Sequence, residues 1–227
     1  MHIPPITRNL LWIMAGVFLA QQFLALQLLP FMLWPWGDFP VGSGPDGMPM
    51  SVGFQPWQLL SYGFMHGGMG HLFFNCLALF QFGSRLENTW GGRKYLTYFL
   101  VCVAGAGLCQ LLVTTYMFDP AQGPIPTIGA SGGVFGLLLA YGMLFPHERV
   151  MLLIPPIPMS ARTLVIVFGV IELVPATYLL HATVPCAQRY LYRKVSDQLP
   201  FHHKSQRLLL LKKRRLAFLS IGYVSNR

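Results

Sequence analysis

In "PTIGASGGVFGLLLAYG", residues 126–142, Ser131 stands between glycines at the head of an apolar helix-forming run. A serine hydroxyl becomes a nucleophile when a base takes its proton and nearby donors stabilise the negative charge of the intermediate. The segment "DPAQGPIPTIGA" delivers the chain to that helix start. Backbone N–H groups there lack helical partners and can bind an anion. A second constellation lies upstream in "GFMHGGMGHLFFNCLALFQFG". His71 and Asn75, four residues apart, share one face of a helix and point polar groups the same way out of apolar surroundings. His66, five residues before His71, falls off that face. A metal site at the two histidines would need further ligands, and no carboxylate accompanies them. Plainer roles stay open: close helix packing for Gly129, Ser131, Gly132, Gly133 and Gly136, and interhelical hydrogen bonds for His71 and Asn75.

The elements that must carry these residues are set by composition. Of 227 residues, 54% are hydrophobic and only 10% charged, against about 25% charged in ordinary soluble domains. The chain therefore reads as a membrane protein, with apolar runs near 10–29, 57–82, 95–117, 128–145 and 163–182. The first run lacks a small-residue cleavage site and reads as a retained helix. Cys76, Cys102, Cys109 and Cys186 show no CxxC spacing and read as packing residues. Lys and Arg accumulate in cytoplasmic loops, which puts Arg8, the Arg85/Arg93/Lys94 loop and the Arg149/Arg162 loop inside. The segment from Pro30 to Pro56 carries Asp38 and Asp46 and no basic residue, so it lies outside.

Composition changes abruptly near the end. Ten of the sixteen basic residues follow residue 188, including "KKRR" at 212–215, and one glycine of 23 lies beyond Gly169. Five crossings would leave this tail outside, against the charge rule, and a sixth lacks the needed apolar run. "LVPATYLLHATVPCAQRYLY", broken by Pro175 and Pro185, is the nearest candidate. Attraction of the tail to anionic lipid is the simpler reading. Nucleic-acid binding is not expected, because no recognisable module surrounds the charges. A channel or transporter is disfavoured by the lack of repeated halves and by Glu172 as the one acid inside an apolar run.

Over residues 8–174 the chain resembles the rhomboid family of intramembrane serine proteases. "MHGGMGHLFFN" is similar to that family's second-helix motif and "GASGGVFGLLLAYG" to its fourth-helix G-x-S-G start. The resemblance implies an all-α multi-pass membrane protein, a rhomboid-like helical bundle with five clear transmembrane helices and an irregular sixth. It implies a membrane domain over 8–182, followed by a basic, divergent tail over 183–227. Ser131 would be the nucleophile, His71 and Asn75 the oxyanion donors, Gly129 the residue that shapes the turn, and His66 a support for the neighbouring loop. Partners would be transmembrane protein substrates and the lipid bilayer of a cell membrane, the bacterial inner membrane, with no cofactor, no metal and no nucleic acid; no oligomeric state is implied. The family's base is a histidine in a context like A-H-x-x-G on the sixth helix. His181 stands fifty residues after Ser131 but is followed by "ATVPC". A His181–Ser131 contact that is absent or poorly held is therefore expected, with little proteolytic activity. A member without catalysis that binds or routes membrane clients is the alternative.

The charge asymmetry makes a topological prediction: residues 30–56 and 117–127 lie outside, and 84–94 and 146–162 inside. In a variant lacking the four native cysteines, Pro40→Cys should react with an impermeant thiol reagent added outside. Labelling of position 40 from the cytoplasmic side alone would reverse the orientation.

Overall fold

A computed structural model describes residues 3–43, 48–116, 124–151 and 158–170. Six main helices carry it: α1 Pro5–Phe23, α2 Met69–Ala78, α3 Ser84–Trp90, α4 Gly92–Tyr116, α5 Ser131–Leu144 and α6 Ala161–Val170. α2 and α3 are one continuous rod joined through a π turn at Leu79–Gly83. The described residues also include two short antiparallel strand pairs, β1 Phe39–Ser43 with β2 Pro49–Val52, and β3 Arg149–Met151 with β4 Pro158–Ser160. α4 is the one described helix long and apolar enough to cross a bilayer by itself, whereas α5 and α6 are shorter and apolar.

The core forms where α1, the α2–α3 rod, α4 and α5 meet. Met14, Leu79, Leu86, Tyr95, Phe99 and Leu137 are essentially inaccessible there. α5 approaches α4 closely because its facing positions are glycines. A Cβ on Gly133 would fall 2.5 Å from a Phe99 ring carbon and 2.7 Å from Val103 Cγ2; one on Gly132 would meet Ala106 and one on Gly136 the Cys102 sulfur. Tyr98 Oη seals the seam by donating to the Gly136 carbonyl at 3.0 Å.

The sequence suggests one apolar run over 57–82, and the structure divides it. Gln58–Ser61 forms a single helical turn and Tyr62–Phe64 a 3₁₀ turn, and the main helix starts only at Met69. Gly67, Gly68 and Gly70 weaken helix propensity across the gap, and the rod then extends beyond 82 to Trp90. Gln58, 1% exposed, organises the preceding loop: its Oε1 accepts from the Trp34 N–H at 3.1 Å, and its Nε2 donates to the Pro30 and Gly53 carbonyls, each at 3.0 Å. At the opposite end of the bundle, Glu148 accepts from the Arg85 guanidinium at 2.8 Å and from Tyr141 Oη at 2.6 Å. Its carbonyl receives the Ala161 N–H, which anchors the start of α6.

The N-terminus of α1 has no cap of its own in sequence. Glu87 on α3 supplies one, accepting from the Ile6 N–H at 2.9 Å, the Thr7 N–H at 2.7 Å and Thr7 Oγ1 at 2.8 Å. Glu87 is buried and Thr7 fully so. Glu87→Ala should therefore leave buried donors unpaired and cost on the order of 3 kcal/mol, read as a lower melting temperature of the purified protein. An unchanged melting temperature would show that the cap contributes nothing.

Candidate functional site

Ser131 is the first residue of α5, and Val134 N–H to the Ala130 carbonyl is the first helical bond. The N–H groups of Ser131, Gly132 and Gly133 thus have no intrahelical acceptor, and the positive end of the helix dipole lies at the serine. The turn into α5 needs Gly129. Its φ of 129° lies where side-chain-bearing residues are strained, and a Cβ there would fall 2.6 Å from Cε1 and 2.8 Å from Nε2 of His71. The His71 imidazole is therefore laid directly over the glycine two residues before Ser131. The Gly129 N–H donates to the Tyr62 carbonyl at 2.9 Å, so this amide holds the turn in place and does not itself face a reacting group.

His71 and Asn75 come from successive turns of α2, as their spacing predicts. Asn75 is 6% exposed and spends one amide hydrogen on the His71 carbonyl at 2.9 Å, leaving the second for another acceptor. His71 is exposed. His71, Asn75 and Ser131 line one chamber between α2, α5 and α6. His66 precedes α2, where it is 2% exposed with its ring edge-on to His71, centroids 5.1 Å apart. Gln21 of α1 fixes its backbone, accepting from the His66 N–H at 3.0 Å and donating to its carbonyl at 3.3 Å. His181 lies outside the described residues. Among the described ones, no side chain is hydrogen-bonded to the Ser131 hydroxyl.

Two positioning residues escape the sequence reading. Gln21 carries a usable signal, since a polar amide inside an apolar run must find a partner. Tyr62 carries none for its carbonyl, because a main-chain bond leaves no mark on residue type. Its side chain also anchors the loop, donating from Oη to the Val103 carbonyl at 2.8 Å. Before Ser131, Thr127 pairs with Leu33 in an isolated antiparallel bridge, N–H to carbonyl at 2.8 and 3.1 Å. The long first loop is thereby stitched to the segment that leads into the serine.

Comparison with known proteins matches residues 53–182 to the family described as Rhomboid domain. Among relatives, Rhomboid protein 1, mitochondrial, of Saccharomyces cerevisiae is 30% identical over 103 residues, 45% of this chain and 29% of that protein. Rhomboid protease GluP of Bacillus subtilis is 36% identical over 83 residues, 36% of this chain and 14% of that protein. Putative rhomboid protease YdcA of the same organism is 34% identical over 96 residues, 41% of this chain and 45% of that protein. The chain thus spans less than half the length of each of these relatives. With a family match over more than half of its residues, joined to a helical bundle that brings both sequence motifs to one chamber, the chain belongs to the rhomboid family, a protease-type family of all-helical, multi-pass membrane proteins.

Proposed function

We propose that the chain is an intramembrane serine endopeptidase that cleaves transmembrane segments of membrane proteins, with Ser131 as the nucleophile. The observation that carries this reading is the placement of Ser131 at the start of α5, at one end of a chamber shared with His71 and Asn75. A 14-residue helix rises about 21 Å, some 9 Å short of a ~30 Å hydrocarbon core. If α5 reaches the cytoplasmic face at Leu144, Ser131 is recessed below the opposite face, at the depth of a substrate's transmembrane segment. Non-helical backbone at that depth is tolerated only when it is buried in protein or lines a cavity. The Leu33–Thr127 bridge and the Gly129–Tyr62 bond support such an arrangement.

The mechanism follows from the same groups. Attack of the Ser131 hydroxyl on a peptide carbonyl creates an oxyanion, which the Ser131 N–H, the His71 imidazole and the free Asn75 amide hydrogen would stabilise. Gly129 admits the imidazole, and His66 with Gln21 braces the loop before α2. His181 is our candidate for the base, the membrane domain extending over 8–182 with five crossings and an irregular sixth, and the basic tail over 183–227. A membrane is its location, and the bacterial inner membrane is the specific proposal. A catalytically impaired member that binds or routes membrane clients is the second reading. It is favoured by the "ATVPC" that follows His181, in place of a context like A-H-x-x-G.

Purified chain, incubated with a transmembrane reporter, tests both readings. Ser131→Ala should abolish cleavage, and His71→Ala or Asn75→Ala should lower it about a hundredfold or more. Replacing the residues after 174 by a glycine-rich helix carrying A-H-x-x-G should raise the rate well above that of the native chain. Cleavage unaffected by Ser131→Ala would defeat the serine-protease reading. Full activity in the native chain, lost on His181→Ala, would defeat the impaired one.

A further inference from the structure

The chamber beside Ser131 continues far beyond the groups that chemistry needs. On the rod it is lined from His71 to Phe82, on α5 from Ser131 to Leu138, and on α6 by Leu164 and Phe168. From His71 to Phe82 the rod rises about 16 Å, and the volume is 360 Å³, more than twice that of a ~150 Å³ apolar cavity that holds a benzene ring. A single peptide side chain would leave the deeper half unfilled. One extended hydrocarbon chain of about a dozen carbons matches that length.

Polarity runs the same way. His71, Asn75 and Ser131 gather at one end, beside the positive terminus of α5. Below them the walls are Phe74, Ala78, Val134, Phe135 and Leu138, with no acidic side chain in the lining. Gln81 stands at the far end, where its amide donates to the Met151 carbonyl at 3.4 Å.

We propose that the chamber binds a single-chain amphiphile with an anionic head, a medium-chain fatty acid, its carboxylate at Ser131, His71 and Asn75 and its tail extending toward Gln81 and Val150. Bound there, the acid occupies the oxyanion donors and excludes a peptide carbonyl from Ser131. Free fatty acid is thereby a competitor of the site. The inference rests on the site of the protease reading, and it is tested by binding to the native chain with no substrate present, so that its failure and a failure of catalysis are read separately.

The probe is dodecanoate bearing a terminal diazirine, photo-crosslinked to the full chain in a steroid-based detergent without alkyl tails and mapped by peptide mass spectrometry. Adducts are expected on Gln81, Phe82 and Val150. Dodecanoate should suppress them, while hexanoate and dodecyltrimethylammonium should be at least tenfold weaker competitors. Ala78→Trp, which fills the chamber, should cut labelling at these positions at least tenfold. If that variant does not fold, Leu138→Phe serves the same purpose. Adducts spread over outward-facing α4 positions such as Val101 and Leu108, equal suppression by the cationic amphiphile, or unchanged labelling in the filled chamber would each overturn the proposal.

Discussion

The close packing of α5 against α4 is the contact on which the site depends. Gly132, Gly133 and Gly136 let the two backbones meet across Phe99, Val103, Ala106 and Cys102, and lipid supplies no hydrophobic force that would press wider side chains together. Because α5 begins at Ser131, this seam fixes where the serine sits relative to α2. A larger residue at any of the three glycines would push the helix start away from His71 and Asn75. The Tyr98–Gly136 hydrogen bond crosses this seam, and the Tyr62–Val103 bond ties the turn before α2 to the same stretch of α4.

Four polar side chains elsewhere each find partners that also fix a joint between elements. Gln58 closes the first loop, Gln21 holds the start of the second motif, Glu87 caps α1, and Glu148 ties Arg85 and Tyr141 to the beginning of α6. Among apolar surroundings an unpaired donor or acceptor is costly, so a few amides and carboxylates specify the arrangement of helices that apolar contacts alone would leave loose. Membrane identity and joint specificity thus come from different residues.

The two motifs are legible in the sequence because they depend on local spacing. His71 and Asn75 share a face by helical period alone, and G-x-S-G announces both a small-residue helix face and a helix start. The division of the 57–82 run is not legible there, since hydropathy does not register the glycines that interrupt the helix. Neither strand pair leaves a mark in the hydropathy pattern. β3 and β4 have three residues each and make sense only once α5 and α6 bring their ends together. Turn formation at Gly129 can be read from its residue type. Its second role, making room for the His71 ring, emerges only in the fold because the two residues are distant in sequence.

The central claim is that the rhomboid core places a hydroxyl fit for acylation at residue 131. Phosphonylation measures this without reference to any substrate. A fluorophosphonate should add one group to the chain whose residues after 174 are replaced by a histidine-bearing sixth helix, and tandem mass spectrometry should locate it on Ser131. No adduct in that chain, or an adduct on another residue that persists when Ser131 is alanine, would contradict the account.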